Sequence, residues 1–499
     1  MRRARRIGGL VAATLLLVGA AVGTMGRAPA HATGPKARPN VVVVVLDDLE
    51  QTDGSFWKAL PHTRALLADR GVTFTNAFVT NPLCCPARAT ILTGMYPHDT
   101  GVWAVYQESI GGAENETLGV RMQADGYTTA LAGKYLNGYE TEPDRVPPGW
   151  DEWFGLAGTF LDGYSYTANH NGTIESFGTR PRDYQTDVVA REARSFVGQT
   201  ERDDTKPFFL YLAPTAGHWS MGPAPRHAQN PYADDRLPRP PNFDERDVSD
   251  KPFWLREGVP RINGDVLRNE TERYRRNRGT LYAADDMVEA LVDELRGKGE
   301  LDHTYFVFTS DNGYNRGAHR LRGKAVPYEE SIRIPLVISG PGIRHGTEDR
   351  LVIHPDLAPT IYDLAGVPVP DDVDGRSLVP LLHGDDGPWR RDFLVEFRGQ
   401  YGTRILIDTR ADVEKKVASE NGLGAFVPSY RAVRTARWKY VEWYGGTDHD
   451  YELYDLRADP YELENLLATP EGATEHASTT ARLQSRLEAL AACAGATCH

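Results

Sequence analysis

Two apolar runs far apart in the chain stop at the same kind of polar cluster. Val41 to Leu46 contain no polar position and end at Asp47-Asp48; Tyr305 to Phe308 are followed closely by Asp311, Asn312 and Gly313. Unbroken β-branched and aromatic runs predict strands buried on both faces, as in a parallel sheet covered by helices. The expected class is α/β, and ligands of open α/β sheets bind just beyond the carboxyl ends of such strands. A different period governs "YAADDMVEALVDEL", residues 282–295, whose apolar positions recur at helical spacing and put Asp285-Asp286 on a solvated face. A helix is also predicted from about Cys84: Pro86 suits a first turn, "ARATIL" continues it and Gly94 stops it. By contrast, Pro223–Asp250 is rich in proline and charge and reads as a long surface loop able to edge an active site.

The amino terminus is patterned for export. Arg2, Arg3, Arg5 and Arg6 precede an apolar stretch from Ile7 to Val22, and Ala30-His31-Ala32 supplies a small-x-small cleavage site. Residues 1–32 therefore read as a secretory signal peptide, with the Arg5-Arg6 pair leaving a twin-arginine route open beside the general one. No later run is long and apolar enough to span a bilayer, so the mature chain is expected to be secreted or extracytoplasmic, with no stable membrane insertion after cleavage. The leader holds five arginines and no acidic residue, so its removal moves the formal charge from −13 to −18. So acidic a chain does not hold polyanions by bulk electrostatics, which excludes nucleic acid as a partner and requires a locally positive pocket for any anionic substrate. A mature length of roughly 465 residues predicts two domains.

The chemistry gathers at a few places. Two strands that both end in oxygen donors suggest one hard divalent cation, Ca²⁺ or Mg²⁺, held between Asp47, Asp48, Asp311 and Asn312. Taken singly, such residues would only start turns or cap helices. Of the four cysteines, Cys493 and Cys498 are placed to close a small disulfide loop or to remain as two surface thiols. Cys84 and Cys85 are adjacent, and neighbouring cysteines rarely reach disulfide geometry without strain. At a helix N-terminus, where free N–H groups and the dipole favour an anion, and with Arg88 one turn along, Cys84 alone would describe the low-pKa thiolate of a thiol hydrolase.

Cys84-Cys85-Pro86-Ala87-Arg88, followed by Leu92-Thr93-Gly94, resembles the C-x-P-[SA]-R-x-x-x-L-T-G signature of the type I sulfatases. The resemblance implies an alkaline-phosphatase-like α/β fold with a large, mostly parallel sheet flanked by helices. It also implies a smaller C-terminal α+β domain with an antiparallel sheet. Cys84 would be oxidised to Cα-formylglycine by a formylglycine-generating maturation enzyme, and Cys85 would fill a tolerant position. The hydrated aldehyde is a geminal diol: one hydroxyl attacks sulfur and the other lets the sulfated group collapse to aldehyde and free sulfate. Position 84 would join Asp47, Asp48, Asp311 and Asn312 at the cation.

Further stretches are similar to the same family. "GYTTALAGKYLNGY" resembles the second signature and implies Lys134 as a sulfate-binding lysine; "FFLYLAPTAGHWS" implies His218 near the leaving-group oxygen. "SDNGYNRGAHRLRGKAVPYEESIRIPLVI" implies Lys324 as the second sulfate lysine and includes His319 as a further catalytic candidate. Outside these motifs, Lys134 and Lys324 would read as surface-turn lysines and His218 as a loop histidine. "DLAPTIYDLAGVPVPDDVDGRSLVPLL" is similar to the close of the large domain, and "YRAVRTARWKYVEW" and "YELYDLRADPYELENL" to strands of the smaller one. The implied division is 37–385 and 390–499.

"GKYLNGY" followed by "VPPGWDEW" resembles the N-acetylglucosamine-6-sulfatases and their endosulfatase relatives, where most sulfatases read G-K-x-H. Asn315 and Ala318 depart from that group's usual His and Gln or Glu. The implied substrate is a sulfated sugar or glycan, with a 6-O-sulfated amino sugar foremost. A phosphodiesterase or phosphonate monoester hydrolase of the same superfamily, and a non-catalytic binder of sulfated glycans, are the alternatives.

Overall fold

Along the first apolar run, alternate side chains go to opposite faces of one sheet: Val41, Val43 and Val45 join one apolar core, and Val42, Val44 and Leu46 another. A strand's period of two produces this division, and a core on each side accounts for a run with no polar position. The computed structural model describes residues 38–499 apart from 53, 104–110, 159, 203–205, 400–426 and 445–449, so the predicted leader lies outside the described residues. Among those residues no helix is long and apolar enough to cross a membrane.

In chain order the strands are β1 (Asn40–Leu46), β2 (Gly71–Phe78), β3 (Thr128–Gly133), β4 (Glu152–Ala157), β5 (Thr167–His170), β6 (Thr173–Ser176), β7 (Phe208–Ala213) and β8 (Thr304–Ser310). There follow β9 (Asn315–Arg316), β10 (Arg322–Gly323), β11 (Arg333–Ser339), β12 (Gly346–Glu348) and β13 (Val352–Ile353). The main sheet runs β12-β2-β11-β8-β1-β7-β3-β4-β5-β6, with β13 also on β2; β9 and β10 form a separate ribbon. From β8 through β4 every pairing is parallel. The expected mostly parallel sheet is present, with an interior exception: β11 lies antiparallel between β8 and β2.

Helix Cys84–Thr93 and helix Leu357–Ala365 bury Ile91, Leu92 and Ile361 on one face, while helices Gln185–Thr200 and Gly264–Lys298 bury Val189, Met287 and Leu291 on the other. Four antiparallel strands make the second sheet: β14 (Asp392–Phe397), β15 (Ser429–Thr435), β16 (Trp438–Tyr444) and β17 (Tyr451–Asp455). Helix Ala477–Leu490 buries Leu483, Leu487 and Leu490 in the core that also takes Phe393 and Val433. This is the α+β arrangement expected of the C-terminal part.

Cys493 and Cys498 are bonded to each other, and neither Cys84 nor Cys85 is in a disulfide. The disulfide loop docks by Gly495 N–H to Asp374 Oδ1 (2.6 Å), while Asp374 Oδ2 accepts Tyr96 N–H (2.6 Å) just beyond the Cys84 helix.

Two expectations need correction. Asp285 is not on a solvated face: it is buried and accepts His62 N–H (2.9 Å), Thr63 N–H and the Thr63 hydroxyl (both 2.7 Å), capping helix Pro61–Leu66 from outside. Only Asp286 is partly open, paired with Arg226 and His227. The proline-rich stretch is not all surface either, because Asn242 and Glu245 within it are buried.

Candidate active site

Neighbouring strands deliver their carboxyl ends to one place: β8 leads to Asp311 and Asn312, β1 to Asp47 and Asp48, β7 to the loop of His218, and β3 to Lys134. β2 leads to the helix that begins at Cys84 and is closed by Gly94 at φ 78°, as the sequence predicts. Close backbone approach makes this convergence possible. A Cβ on Gly217 would lie 2.0 Å from Asp47 O, and one on Gly133 would lie 2.1 Å from Ala213 O. Neither position admits a larger residue without moving a strand end.

Arg88 ties the cluster together from within. Wholly buried, it donates from Nε to Asp311 Oδ2 (2.8 Å), from Nη2 to Asp47 Oδ2 (3.4 Å) and from Nη1 to Lys134 O (3.2 Å). Lys134 Nζ donates to Asp47 Oδ2 at 2.6 Å. Lys324 Nζ reaches Asp48 Oδ1 and Asn312 Oδ1 (3.4 Å) and touches Cys84 Sγ. Cys84 Sγ lies 4.0 Å from Asp47 Oδ1, and His218 Nε2 lies 3.8 Å from Asp48 Oδ2. Cys85 points away, with Sγ 3.5 Å from Asn137 O inside the apolar core.

Charge is dense here, and its balance sets the protonation states. Burial alone would push the Asp47 carboxyl up, yet Lys134, His218, Arg88 and Lys324 together hold it well below the usual carboxylate range. Asp311 moves the other way: burial and then Asp47 raise it, against Arg88. Burial lowers His218 to about 4, against the opposing pull of the Asp47 and Asp48 carboxylates. Burial raises the Cys84 thiol, although Lys134 and Lys324 oppose the shift. That direction runs against a thiolate nucleophile, since burial without sufficient compensation disfavours the charged form.

The donor set suits a hard cation. One ligand atom from each of Asp47, Asp48 and Cys84 lies within 4.8 Å of the others, and Asp48 Oδ2 is buried with no hydrogen-bond partner. A buried carboxylate oxygen left unpaired is costly, and three carboxylates with an amide oxygen are the ligands Ca²⁺ and Mg²⁺ prefer. Asp48 itself adopts a left-handed conformation, φ 57°, uncommon for a residue other than glycine.

Cys84, Arg88, Lys134, His218, Lys324, Asp47, Asp48, Asp311 and Asn312 are thus brought together. His319 is not among them: it is buried elsewhere, with Nδ1 2.6 Å from Glu245 Oε2 and its ring against Tyr328. Asn315, one of the departures from the resembled group, donates to Gly323 O (3.1 Å) and fastens the β9–β10 ribbon ahead of Lys324. Ala318, the other, bridges to Phe243. Ser220 has a role the sequence marks only by its place two residues after His218. Its hydroxyl lies 2.9 Å from His218 Nδ1 and donates to Leu161 O (3.0 Å), fixing the imidazole.

Comparison with known proteins agrees with this geometry. Residues 39–367 match the family model described as Sulfatase, and residues 423–492 match that described as N-sulphoglucosamine sulphohydrolase, C-terminal. Human N-acetylglucosamine-6-sulfatase is 34% identical across 97% of this chain and 89% of its own. The extracellular sulfatase SULF-1 homolog of Drosophila melanogaster is 35% identical across 76% of this chain and 35% of its own. Among solved structures, one in complex with its substrate D-glucosamine-2-N,6-O-disulfate superposes with a TM-score of 0.73 at 25% identity, covering 90% of this chain and 97% of that one.

Proposed function

The chain belongs to the sulfatase family of sulfuric ester hydrolases, and on that premise we propose that it is exported and removes the 6-O-sulfate of N-acetylglucosamine or a closely related sulfated glycan. The observation that carries the reading is one cluster joining Cys84 to two lysines, an arginine, a histidine and the carboxylates of two strand ends. Overall, water and the sulfate ester become the free sugar hydroxyl and sulfate.

In this reading Cys84 is converted to Cα-formylglycine by a maturation enzyme, and its hydrate supplies both the hydroxyl that accepts the sulfuryl group and the one that lets sulfate leave. Asp47, Asp48, Asp311 and Asn312 would hold Ca²⁺ or Mg²⁺, which when bound would supply Lewis-acid polarisation of the sulfate oxygens. Lys134, against Asp47, and Lys324, against position 84, offset charge on the ester oxygens in a site where little water screens them. Arg88 keeps Asp47 and Asp311 in place rather than meeting the substrate. His218, steadied by Ser220, handles the proton of the leaving sugar oxygen. His319 has no part in this set.

The sugar preference is supported by the "GKYLNGY" stretch, by the human relative's name and by the disulfated glucosamine bound in the similar structure. Export is supported by the leader and by the extracellular Drosophila relative. A division into 37–385 and 390–499 is supported by two family models that match separate stretches.

Mass spectrometry of the Cys84 peptide from active protein, followed by turnover of 6-sulfated N-acetylglucosamine, other sulfated sugars, an aryl sulfate and an aryl phosphate diester, tests the proposal. An aldehyde at position 84 and preference for the 6-sulfate are expected. An intact thiol in active enzyme would remove the mechanism, and faster turnover of the phosphate diester would favour the phosphohydrolase reading.

A further inference from the structure

Away from the Cys84 cluster, a second group of ligating side chains lies where three distant segments meet, His319 and Glu462 buried and Glu330 partly so. His319 sits between β9 and β10; its Nδ1 is engaged by Glu245, and its Nε2 faces Asn242 Nδ2 at 3.4 Å. Glu330 accepts that same amide on Oε1 at 2.8 Å and keeps a buried Oε2 with no partner. Glu462, from the segment after β17, accepts Glu329 N–H on Oε2 at 2.9 Å, and its Oε1 lies 2.6 Å from Lys439 Nζ. One ligand atom from each of His319, Glu330 and Glu462 lies within 4.8 Å of the others.

We infer that His319, Glu330 and Glu462 form a second divalent-cation site, of the class that takes Zn²⁺ or Mn²⁺, which fastens the loop of Lys324 to the C-terminal part of the chain. A carboxylate on the far nitrogen is the arrangement that orients a metal-ligating imidazole, and Glu245 supplies it. Each of the two carboxylates has one oxygen held by an N–H group; the other is unpaired in Glu330 and meets the Lys439 ammonium in Glu462. Buried carboxylate oxygens without partners call for an ion, a proton or a water. Asn242 adds an independent sign: it is wholly buried, and its Oδ1 has no partner. Turned over, its amide would present that oxygen to His319 and Glu330, an orientation that a cation between them would favour.

Lys439 is the competing occupant. Its Nζ lies 2.6 Å from Glu462 Oε1 and 3.0 Å from Glu329 Oε1, an ion pair with each. Among the described residues Glu330 has no ion-pair partner, so Lys439 leaves that charge unmatched. One imidazole nitrogen with two carboxylates suits zinc or manganese better than calcium, which seeks six or more oxygens. The site stands independently of the sugar and of the chemistry at position 84.

The test uses the whole mature enzyme, loaded with calcium and freed of other metals. Zinc chloride is titrated by calorimetry, with bound metals counted by mass spectrometry and thermal unfolding followed in parallel. The expected result is one zinc per chain beside the calcium, with a raised unfolding midpoint. Glu462→Gln should weaken zinc binding by roughly tenfold or more while calcium content and sulfate release stay unchanged. Cobalt(II) bound to the wild-type chain should give visible bands without a thiolate charge-transfer band, and zinc should displace it; this holds whether or not the variant folds. No zinc or manganese uptake beyond calcium, a thiolate band, or equal zinc affinity in the Glu462→Gln chain would each overturn the inference. Protonation of Glu462 would then be what closes the cluster.

Discussion

At the scale of single residues, the two adjacent cysteines have opposite fates. Cys84 opens a helix among charged groups, whereas Cys85 is sealed in the apolar core. Cys84→Ser should lower sulfate release by roughly 10³-fold or more in a host whose maturation system accepts only cysteine, and Cys85→Ala should leave turnover near normal. Sulfate assays on both decide the matter, and a dead Cys85→Ala enzyme that still folds would show the wrong cysteine had been chosen. Arg88 is the other residue whose loss should be severe. Removing a wholly buried guanidinium leaves Asp47 and Asp311 facing each other with less compensation, at a cost of about 3 kcal/mol or more. Urea unfolding of Arg88→Gln measures it, and a loss below about 1 kcal/mol would mean Arg88 matters no more than a surface ion pair.

At the scale of elements, what the sequence makes legible is what depends on near neighbours in the chain. The strand before Asp47, the strand before Asp311 and the helix from Cys84 to Gly94 all follow from local period and stop signals. The antiparallel β11, the cap from Asp285 and the burial of His319 do not, because each depends on a partner hundreds of positions away or in a loop without a pattern. Asp285 is the clearest case: a pair of acids on an amphipathic helix normally faces water, but here the N-terminus of helix Pro61–Leu66 packs onto one of them. Asp285→Ala should destabilise the fold by about 2 kcal/mol, a lost cap together with buried N–H groups left unpaired, as read by urea unfolding.

His98, on helix Pro97–Thr100, works in the same long-range way, joining Glu396 of β14 (2.7 Å) to Cys493 O (3.0 Å). Burial would lower its pKa, but Glu396 and the Cys493 carbonyl raise it to about 9. A histidine raised on folding contributes fully below its unfolded value, near 6.5, and loses that contribution as pH climbs through 9. Stability should therefore fall by about 2 kcal/mol between those limits, and His98→Gln should flatten that part of the profile. A wild-type profile already flat over the same interval would remove His98 from the account.

At the scale of the whole molecule, strand ends of the main sheet and the helix from Cys84 serve one site. The family resemblance carried by eleven residues around Cys84 is matched across most of the chain. The cation proposed at the strand ends should be needed both to work and to stay folded. Its removal by a chelator should abolish turnover and lower the unfolding midpoint, with both restored by Ca²⁺ or Mg²⁺. Full activity in chelator, with no metal bound, would leave Asp48 Oδ2 unexplained.

The depth of Cys84 has a consequence for timing. Only 5% of the residue is exposed, with Lys324 against its sulfur and strand ends on several sides. An enzyme that oxidises this side chain has to reach it while the polypeptide is still open, before β3, β7 and β8 have closed around it. Whatever thiol escapes that interval is locked in for the lifetime of the native state. On the proposed conversion, the proportion of active molecules in a preparation would be decided during biosynthesis, by a race between oxidation and collapse.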